Sequence, residues 1–146
     1  MIKIRHSGLV TYNLPKSLMF WKNKLKFKIK NRAIEGGDLI DKIMGYKSAE
    51  VETLKLSDTK GALLELLHFK NSPLKKKNII KPYSNGFTHI SITVRDIMKT
   101  YKSLKNMNIK FNSKPLESAD GRVLMTYCKT PEGAYLELVQ ELKNEN

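Results

Sequence analysis

The order of apolar and polar positions predicts that the chain contains two similar halves. A short β-type run begins at His6 and another at His89, and they end at Asn13 and Asp96, residue types that favour the N-cap of a helix. Apolar side chains then recur at helical spacing, which predicts one amphipathic helix in each half. These positions are Leu14, Leu18, Trp21 and Leu25 in the first half and Ile97, Tyr101 and Leu104 in the second.

Strand-like runs complete each half. Residues 25–30 alternate apolar side chains with lysines, as a half-buried strand does, and residues 108–111 are the weaker counterpart. The N-terminal residues 1–6 are also predicted to form a strand. Residues 50–56 and 122–128 are β-type runs of equal length, and each leads into a turn and a last strand.

The predicted fold class is α+β, with two tandem β-α-β-β-β modules in a single domain, residues 1–146. Module one covers about residues 1–71 and module two about residues 87–142, and the segment 72–86 between them is the predicted linker. The histidines that open the modules lie 83 residues apart, whereas the glutamates in the last strands lie 72 apart, so module one carries 11 extra residues. They are expected within residues 36–46, where the pattern indicates a short helix.

Matched histidines and glutamates are the main candidates for chemistry. Glu65 and Glu137 each lie inside an apolar strand, where a carboxylate is costly to bury unless a cation or a partner accompanies it. His6 and His89 open the first strand of each module. One such residue alone would usually be a solvent-facing glutamate or a hydrogen-bonded core histidine. Four of them at duplicated positions favour a site for one divalent metal ion, because imidazole and carboxylate together suit Ni, Co, Zn, Mn or Fe.

The sequence resembles the vicinal oxygen chelate superfamily, which includes glyoxalase I, methylmalonyl-CoA epimerase, extradiol dioxygenases and the fosfomycin and bleomycin resistance proteins. The resemblance extends from Ile4 to Glu141. The segments that carry it are His6 with Asn13-Leu14-x3-Leu18-x2-Trp21, Leu63-Leu64-Glu65-Leu66-Leu67, Thr88-His89-Ile90, and Thr130-Pro131-Glu132-Gly133-x2-Leu136-Glu137-Leu138.

This resemblance implies a curved mixed sheet that forms a cup around one metal ion, with His6, Glu65, His89 and Glu137 as ligands. A glutamate at position 65 is similar to the glyoxalase I and methylmalonyl-CoA epimerase branch, since the dioxygenases resemble a His-His-Glu triad without a ligand there. The implied activity is that of an isomerase, epimerase or lyase. Such an enzyme moves a proton next to a metal-bound carbonyl of a small acid or thioester, with Glu137 or Glu65 as the catalytic base.

Two other functions fit the same resemblance. One is a non-haem Fe(II) dioxygenase, and the other is a metal-free resistance-type protein that sequesters a ligand. The intact set of four ligand positions argues against the second alternative. Glutathione is not the expected substrate, because bacterial glyoxalase I has an Arg and an Asn where this chain has Val10 and Phe69. The epimerases resemble a Gln at the position of Glu65.

Three charged residues are candidates for substrate binding. If both hairpins pair without a bulge, Thr126 lies opposite Glu137 and Leu54 opposite Glu65. Arg122, Glu50 and Glu52 then share the face of the predicted ligands, where Arg122 would hold a carboxylate or phosphate. A one-residue bulge would move all three to the other face.

The composition restricts the partners. The formal net charge is +13, but lysines far outnumber arginines and no nucleic-acid-binding motif is present, so we expect a small anionic substrate and no nucleic acid. No apolar stretch reaches the roughly 18 residues of a membrane span, so no membrane association is expected. A single cysteine, Cys128, fits a reducing cytoplasm. Members of similar length commonly form dimers, and the resemblance therefore implies a homodimer.

Overall fold

The computed structural model describes residues 1–74 and 79–143, and the chain divides into two compact units, Met1–Lys77 and Asn78–Asn146. Each unit contains one four-stranded mixed sheet with helices, which confirms the predicted fold class. The boundary lies within the predicted linker, of which residues 75–78 are outside the described residues. In the part of the chain that the structure describes, no helix is long and apolar enough to cross a membrane.

The first unit has a mixed sheet in the strand order β1-β4-β3-β2. Strand β1 runs parallel to β4, whereas the β4–β3 and β3–β2 pairs are antiparallel. Its elements in chain order are β1 (Ser7–Val10), α1 (Leu14–Leu18), a π-helical segment (Met19–Lys24), β2 (Lys28–Gly36), α2 (Asp38–Met44), β3 (Glu50–Ser57) and β4 (Leu63–Phe69).

The second unit repeats this topology with the strand order β5-β8-β7-β6. Strand β5 is parallel to β8, and the other two pairs are antiparallel. Its elements are β5 (His89–Thr93), α3 (Ile97–Lys105), β6 (Leu116–Glu117), β7 (Val123–Lys129) and β8 (Tyr135–Glu141). The extra helix α2 of the first unit lies within residues 36–46, where the additional residues were predicted.

One face of each sheet contributes to the apolar core. In the first unit this face carries leucines of β3 and β4 that are at most 4% exposed, namely Leu54, Leu56, Leu64 and Leu66. Phe20 and Trp21 are fully buried and meet edge to face, with ring centroids 5.0 Å apart. Because side chains alternate along a strand, Glu65 lies on the opposite face of β4. The apolar core therefore lies against one face of this sheet, and Glu65 lies on the other face.

Three predicted strands differ from the strands of the structure. Residues 1–6 form no strand, and β1 begins at Ser7. The strand predicted at 25–30 begins only at Lys28, because Lys26 has a left-handed backbone, φ 64°, that an extended strand does not tolerate. In the second unit Asn108 has φ 61°, residue Phe111 makes only an isolated bridge to Cys128, and the short β6 takes the place of the predicted strand.

In both hairpins the strand pairing is shifted by one residue from the predicted pairing. The residues predicted to share a face with Glu65 or Glu137 therefore lie on the opposite face of the sheet. Lys55, rather than Leu54, lies opposite Glu65, and Tyr127, rather than Thr126, lies opposite Glu137. The turns end in glycines with positive φ, 92° at Gly61 and 94° at Gly133. A glycine of this kind after a tight turn inserts one residue into the second strand and so changes the parity of the pairing.

Candidate metal centre

Parallel pairing of β1 with β4 brings His6 to Glu65. Gly8 lies beside Glu65 in the register, and His6 precedes Gly8 by two residues, so it continues the same face. His6 Nε2 is 2.8 Å from Glu65 Oε2, and the two side chains are 30% and 13% exposed. The pair is thus in contact and still reached by solvent.

The second unit contains the equivalent pair. Ser91 of β5 lies beside Glu137 of β8, and His89 precedes Ser91 by two residues. His89 Nε2 is 3.9 Å from Glu137 Oε2, and the side chains are 38% and 19% exposed. The structure therefore brings each predicted histidine to the predicted glutamate of its own unit, by the same strand geometry.

The donor set of each pair fits a divalent cation. An imidazole nitrogen and a carboxylate oxygen point at each other, and both are accepted ligands of Zn, Ni, Co, Fe and Mn. Among the described residues of either unit, no third His, Cys, Asp or Glu joins such a pair to make a group of three. Each unit on its own thus offers two candidate ligands.

The register places one further residue beside each glutamate. With the unbulged hairpins expected from the sequence, these two residues would have been on the opposite face of the sheet. Lys55 lies directly across from Glu65, and Tyr127 directly across from Glu137. Side chains opposite each other in an antiparallel pair share a face, with Cβ atoms roughly 4.5–5.5 Å apart. Within the described residues the half-buried Lys55 makes no ion pair.

Tyr127 lies directly across the hairpin from Glu137, and its pKa is raised above the ordinary value. Partial burial of the phenol is the largest cause, followed by the negative charge of Glu137 and the hydrogen bond to that carboxylate. The Tyr127 ring also meets the His89 ring edge to face, with centroids 5.3 Å apart. The phenol therefore stays protonated and donates to the carboxylate at neutral pH.

The three predicted substrate-binding residues lie away from this face. Glu50 and Glu52 alternate with Val51 and Thr53, and it is Val51, Thr53 and Lys55 that share the face of Glu65. Their carboxylates have basic partners instead: Lys70 Nζ is 3.1 Å from Glu50, and Arg32 Nε is 2.5 Å from Glu52.

Arg122 precedes β7 and, by the same alternation, is not on the face of Glu137. Its Nε is 3.9 Å from the exposed Asp120 carboxylate. The premise that assigned Arg122, Glu50 and Glu52 to substrate binding was therefore wrong, because the glycine-ended turns shift the register by one residue. His68 lies on the core face, where Nδ1 is 2.9 Å from the Thr11 carbonyl oxygen, and so has a structural contact.

Comparison with known proteins gives a family and a fold. The family model described as Glyoxalase/Bleomycin resistance protein/Dioxygenase superfamily matches residues 3–138. The uncharacterized protein YwbC of Bacillus subtilis is 23% identical over 144 residues, which cover 94% of this chain and 97% of that protein.

Solved structures share the fold at low sequence identity. A glyoxalase family protein from Bacillus cereus superposes with a TM-score of 0.89 at 19% identity, covering 98% of this chain and 96% of that one. The trypanothione-dependent glyoxalase I of Leishmania major superposes with a TM-score of 0.63 at 18% identity, covering 97% of this chain and 88% of that one. At these identities the likeness shows the fold alone.

Proposed function

The chain belongs to the glyoxalase/bleomycin resistance protein/dioxygenase superfamily, and from that premise we propose that it is a divalent-metal-dependent isomerase, epimerase or lyase. His6, Glu65, His89 and Glu137 would hold one ion. The observation that carries the proposal is the duplicated pair, in which His6 and His89 each face a glutamate from the same strand geometry. A structural role for one pair would not explain why both copies of the module keep it.

The proposed reaction moves a proton on a carbon next to a carbonyl group. A divalent ion held by His6, Glu65, His89 and Glu137 would supply Lewis acidity to that carbonyl oxygen and so lower the free-energy cost of proton removal. Glu65 or Glu137 takes the proton and returns it to another position, since both carboxylates lie on the partly exposed face of their sheets. His6 and His89 are proposed as ligands only.

The proposed substrate is a small anion, an acid or a thioester with a charged group. Lys55 supports this assignment, because an ammonium group lies across from Glu65 on the candidate face and makes no ion pair in the described part of the chain. We propose that Lys55, and not Arg122, binds the anionic group of the substrate. We further propose a homodimer located in the cytoplasm, as expected from the family resemblance and the single cysteine.

Metal analysis tests the proposal. The chain is purified without a metal-binding tag, and bound metal is measured by elemental mass spectrometry for wild type, Glu65→Gln and Glu137→Gln. Glu141→Gln is the matched control, since Glu141 is exposed and lies on the same face of the same strand, four residues after Glu137. Near-stoichiometric Ni, Co, Zn or Mn in wild type and the control, lost from both other variants, supports the proposal.

Other outcomes identify the alternatives. Iron that Glu65→Gln retains and Glu137→Gln loses indicates the dioxygenase triad. Wild type without metal after reconstitution with each ion contradicts the catalytic proposal and leaves a ligand-sequestering protein. Where metal binds, exchange of substrate protons with deuterium, followed by nuclear magnetic resonance on small 2-oxo acids and acyl thioesters, identifies the substrate class.

A further inference from the structure

The two His–Glu pairs differ in the side chain that faces each glutamate across the hairpin. The pairing is the same in both units, yet the first unit has Lys55 at this position and the second has Tyr127. A lysine at this position carries a positive charge, which repels a metal ion bound at the facing carboxylate. A phenol is a neutral donor that orients the carboxylate without cancelling its charge.

Tyr127 contacts both members of the second pair. Its side chain lies directly across the hairpin from Glu137, where the hydroxyl group is placed to donate to the carboxylate, and its ring lies edge to face against the His89 ring at 5.3 Å and 71°. A carboxylate has two oxygens, so one can accept from the phenol while the other remains free for a cation. Tyr127 thus restricts the rotation of Glu137 and of the imidazole next to it.

Thr88 adds a second restraint on the same pair. The Thr88 hydroxyl oxygen is 3.1 Å from His89 Nδ1. When Nδ1–H donates to this oxygen, Nε2 keeps the lone pair that a metal ion needs. In the first unit the equivalent position is Arg5, which cannot accept a hydrogen bond, and His6 Nδ1 is buried without a hydrogen-bond partner among the described residues.

We propose that Tyr127 is a positioning residue for the metal ligands, and that with Thr88 it makes His89 and Glu137 the pre-organised pair of the protein. This inference rests on the proposed function, because it concerns how the chain holds its ion. Hydrogen-bond partners of metal ligands typically change metal affinity by about 10- to 100-fold when removed. Among the described residues His6 Nδ1 has no such partner, and the pair in the first unit therefore contributes less to affinity.

The test compares two neighbouring tyrosines, of which only Tyr127 lies across the hairpin from Glu137. Tyr127→Phe removes the hydroxyl group that reaches Glu137. Tyr135→Phe removes the hydroxyl group of a neighbouring tyrosine, whose ring lies 6.4 Å away and whose described contacts are made by its ring. The dissociation constants for Zn²⁺ and Co²⁺ are measured by competition with a chromophoric chelator, and the visible spectrum of the Co²⁺ form is recorded.

We expect Tyr127→Phe to weaken metal binding about tenfold or more and to change the Co²⁺ spectrum, because ligand geometry changes. Tyr135→Phe should match wild type in both measurements, and Thr88→Val should weaken binding in the same direction as Tyr127→Phe. The circular dichroism spectrum and unfolding midpoint of each variant show that the fold is kept.

Wild-type affinity and an unchanged Co²⁺ spectrum in Tyr127→Phe would overturn the inference and leave the proposed function intact. The same loss in Tyr135→Phe would also overturn it, because the effect would then belong to the tyrosine cluster and not to the contact with Glu137. A wild-type protein that binds neither ion contradicts the proposed function itself, and the inference with it.

Discussion

At the scale of single residues, Cys128 shows how burial sets reactivity. Its side chain is fully buried on the core face of β7, and burial raises the pKa of the thiol to about 12. The reactive form of cysteine is the thiolate, which this environment disfavours. Cys128 is therefore a core residue of the second unit and has no place in the candidate site.

The thiol gives a prediction that depends on pH. Native protein incubated with iodoacetamide at about pH 8.5 should remain unmodified by mass spectrometry, whereas protein in concentrated urea should be fully alkylated, because an exposed thiol ionises near that pH. The folded chain keeps the proton that the unfolded chain loses. The contribution of Cys128 to the free energy of unfolding therefore falls as pH rises from about 9 to about 12.

A native protein that is alkylated as fast as the unfolded one at this pH would contradict the buried position of Cys128. In Cys128→Ala the free energy of unfolding should fall less steeply between about pH 9 and pH 12 than in wild type. Urea denaturation at several pH values in this range would measure the difference.

At the scale of elements, capping residues predicted from sequence have measurable energies. Asp96 precedes α3, and its carboxylate accepts a hydrogen bond from the Lys99 backbone N–H at 2.9 Å. This contact satisfies one of the free donors in the first turn of the helix. Asn13 does the same for α1 by accepting from Lys16 N at 3.1 Å.

Asp96→Ala should lower the free energy of unfolding by about 1 kcal/mol, the usual cost of an N-cap side chain. Urea denaturation followed by circular dichroism measures the difference. Lys102→Ala, on an exposed position of the same helix, serves as the control and should change stability by less than about 0.5 kcal/mol. Equal effects of the two substitutions would mean that the cap does not stabilise α3.

The elements also show which features of the fold the sequence pattern can predict. Apolar periodicity located most strands and helices of both modules, since burial of one face imposes it, but it did not locate the short strand β6. It could not decide which residue faces Glu65, because Lys55 and Leu54 differ only by the parity of the hairpin. That parity depends on whether Gly61 adopts a left-handed conformation and inserts a residue, which the composition of the turn alone does not determine.

The helix of the first module shows a second limit. The spacing predicted an apolar stripe through Leu14, Leu18, Trp21 and Leu25, whereas Phe20 and Trp21 are the fully buried apolar side chains of this segment. The chain becomes π-helical at Met19–Lys24, with Leu25 N donating to Phe20 O, five residues back. Because a π-helical turn contains more residues than an α-helical turn, it changes which side chains face the core. A pattern based on 3.6 residues per turn cannot predict this change.

At the scale of the whole molecule, a metal ion that binds only the folded chain must also stabilise it. A free concentration 100 times the dissociation constant contributes about 2.7 kcal/mol, which corresponds to several degrees in the unfolding midpoint. We expect a strong chelator to lower the midpoint of metal-loaded wild type by this amount in differential scanning calorimetry.

The double variant Glu65→Gln, Glu137→Gln is the control for this measurement, and its midpoint should be the same with and without chelator. A chelator effect of equal size in the double variant would place the stabilising ion elsewhere on the molecule.

The repeated strand geometry has a consequence for how such a protein can originate. Each module presents an imidazole and a carboxylate from its own first and last strands or the residue beside them. In the first module His6 directly precedes Ser7–Val10, which pairs with Leu63–Phe69, and in the second His89–Thr93 pairs with Tyr135–Glu141. An ancestral gene that encoded one module would have needed only a second copy of its own product to complete the proposed ligand set. Duplication and fusion would then leave the copies free to diverge, and the lysine opposite one glutamate and the tyrosine opposite the other are a difference of that kind.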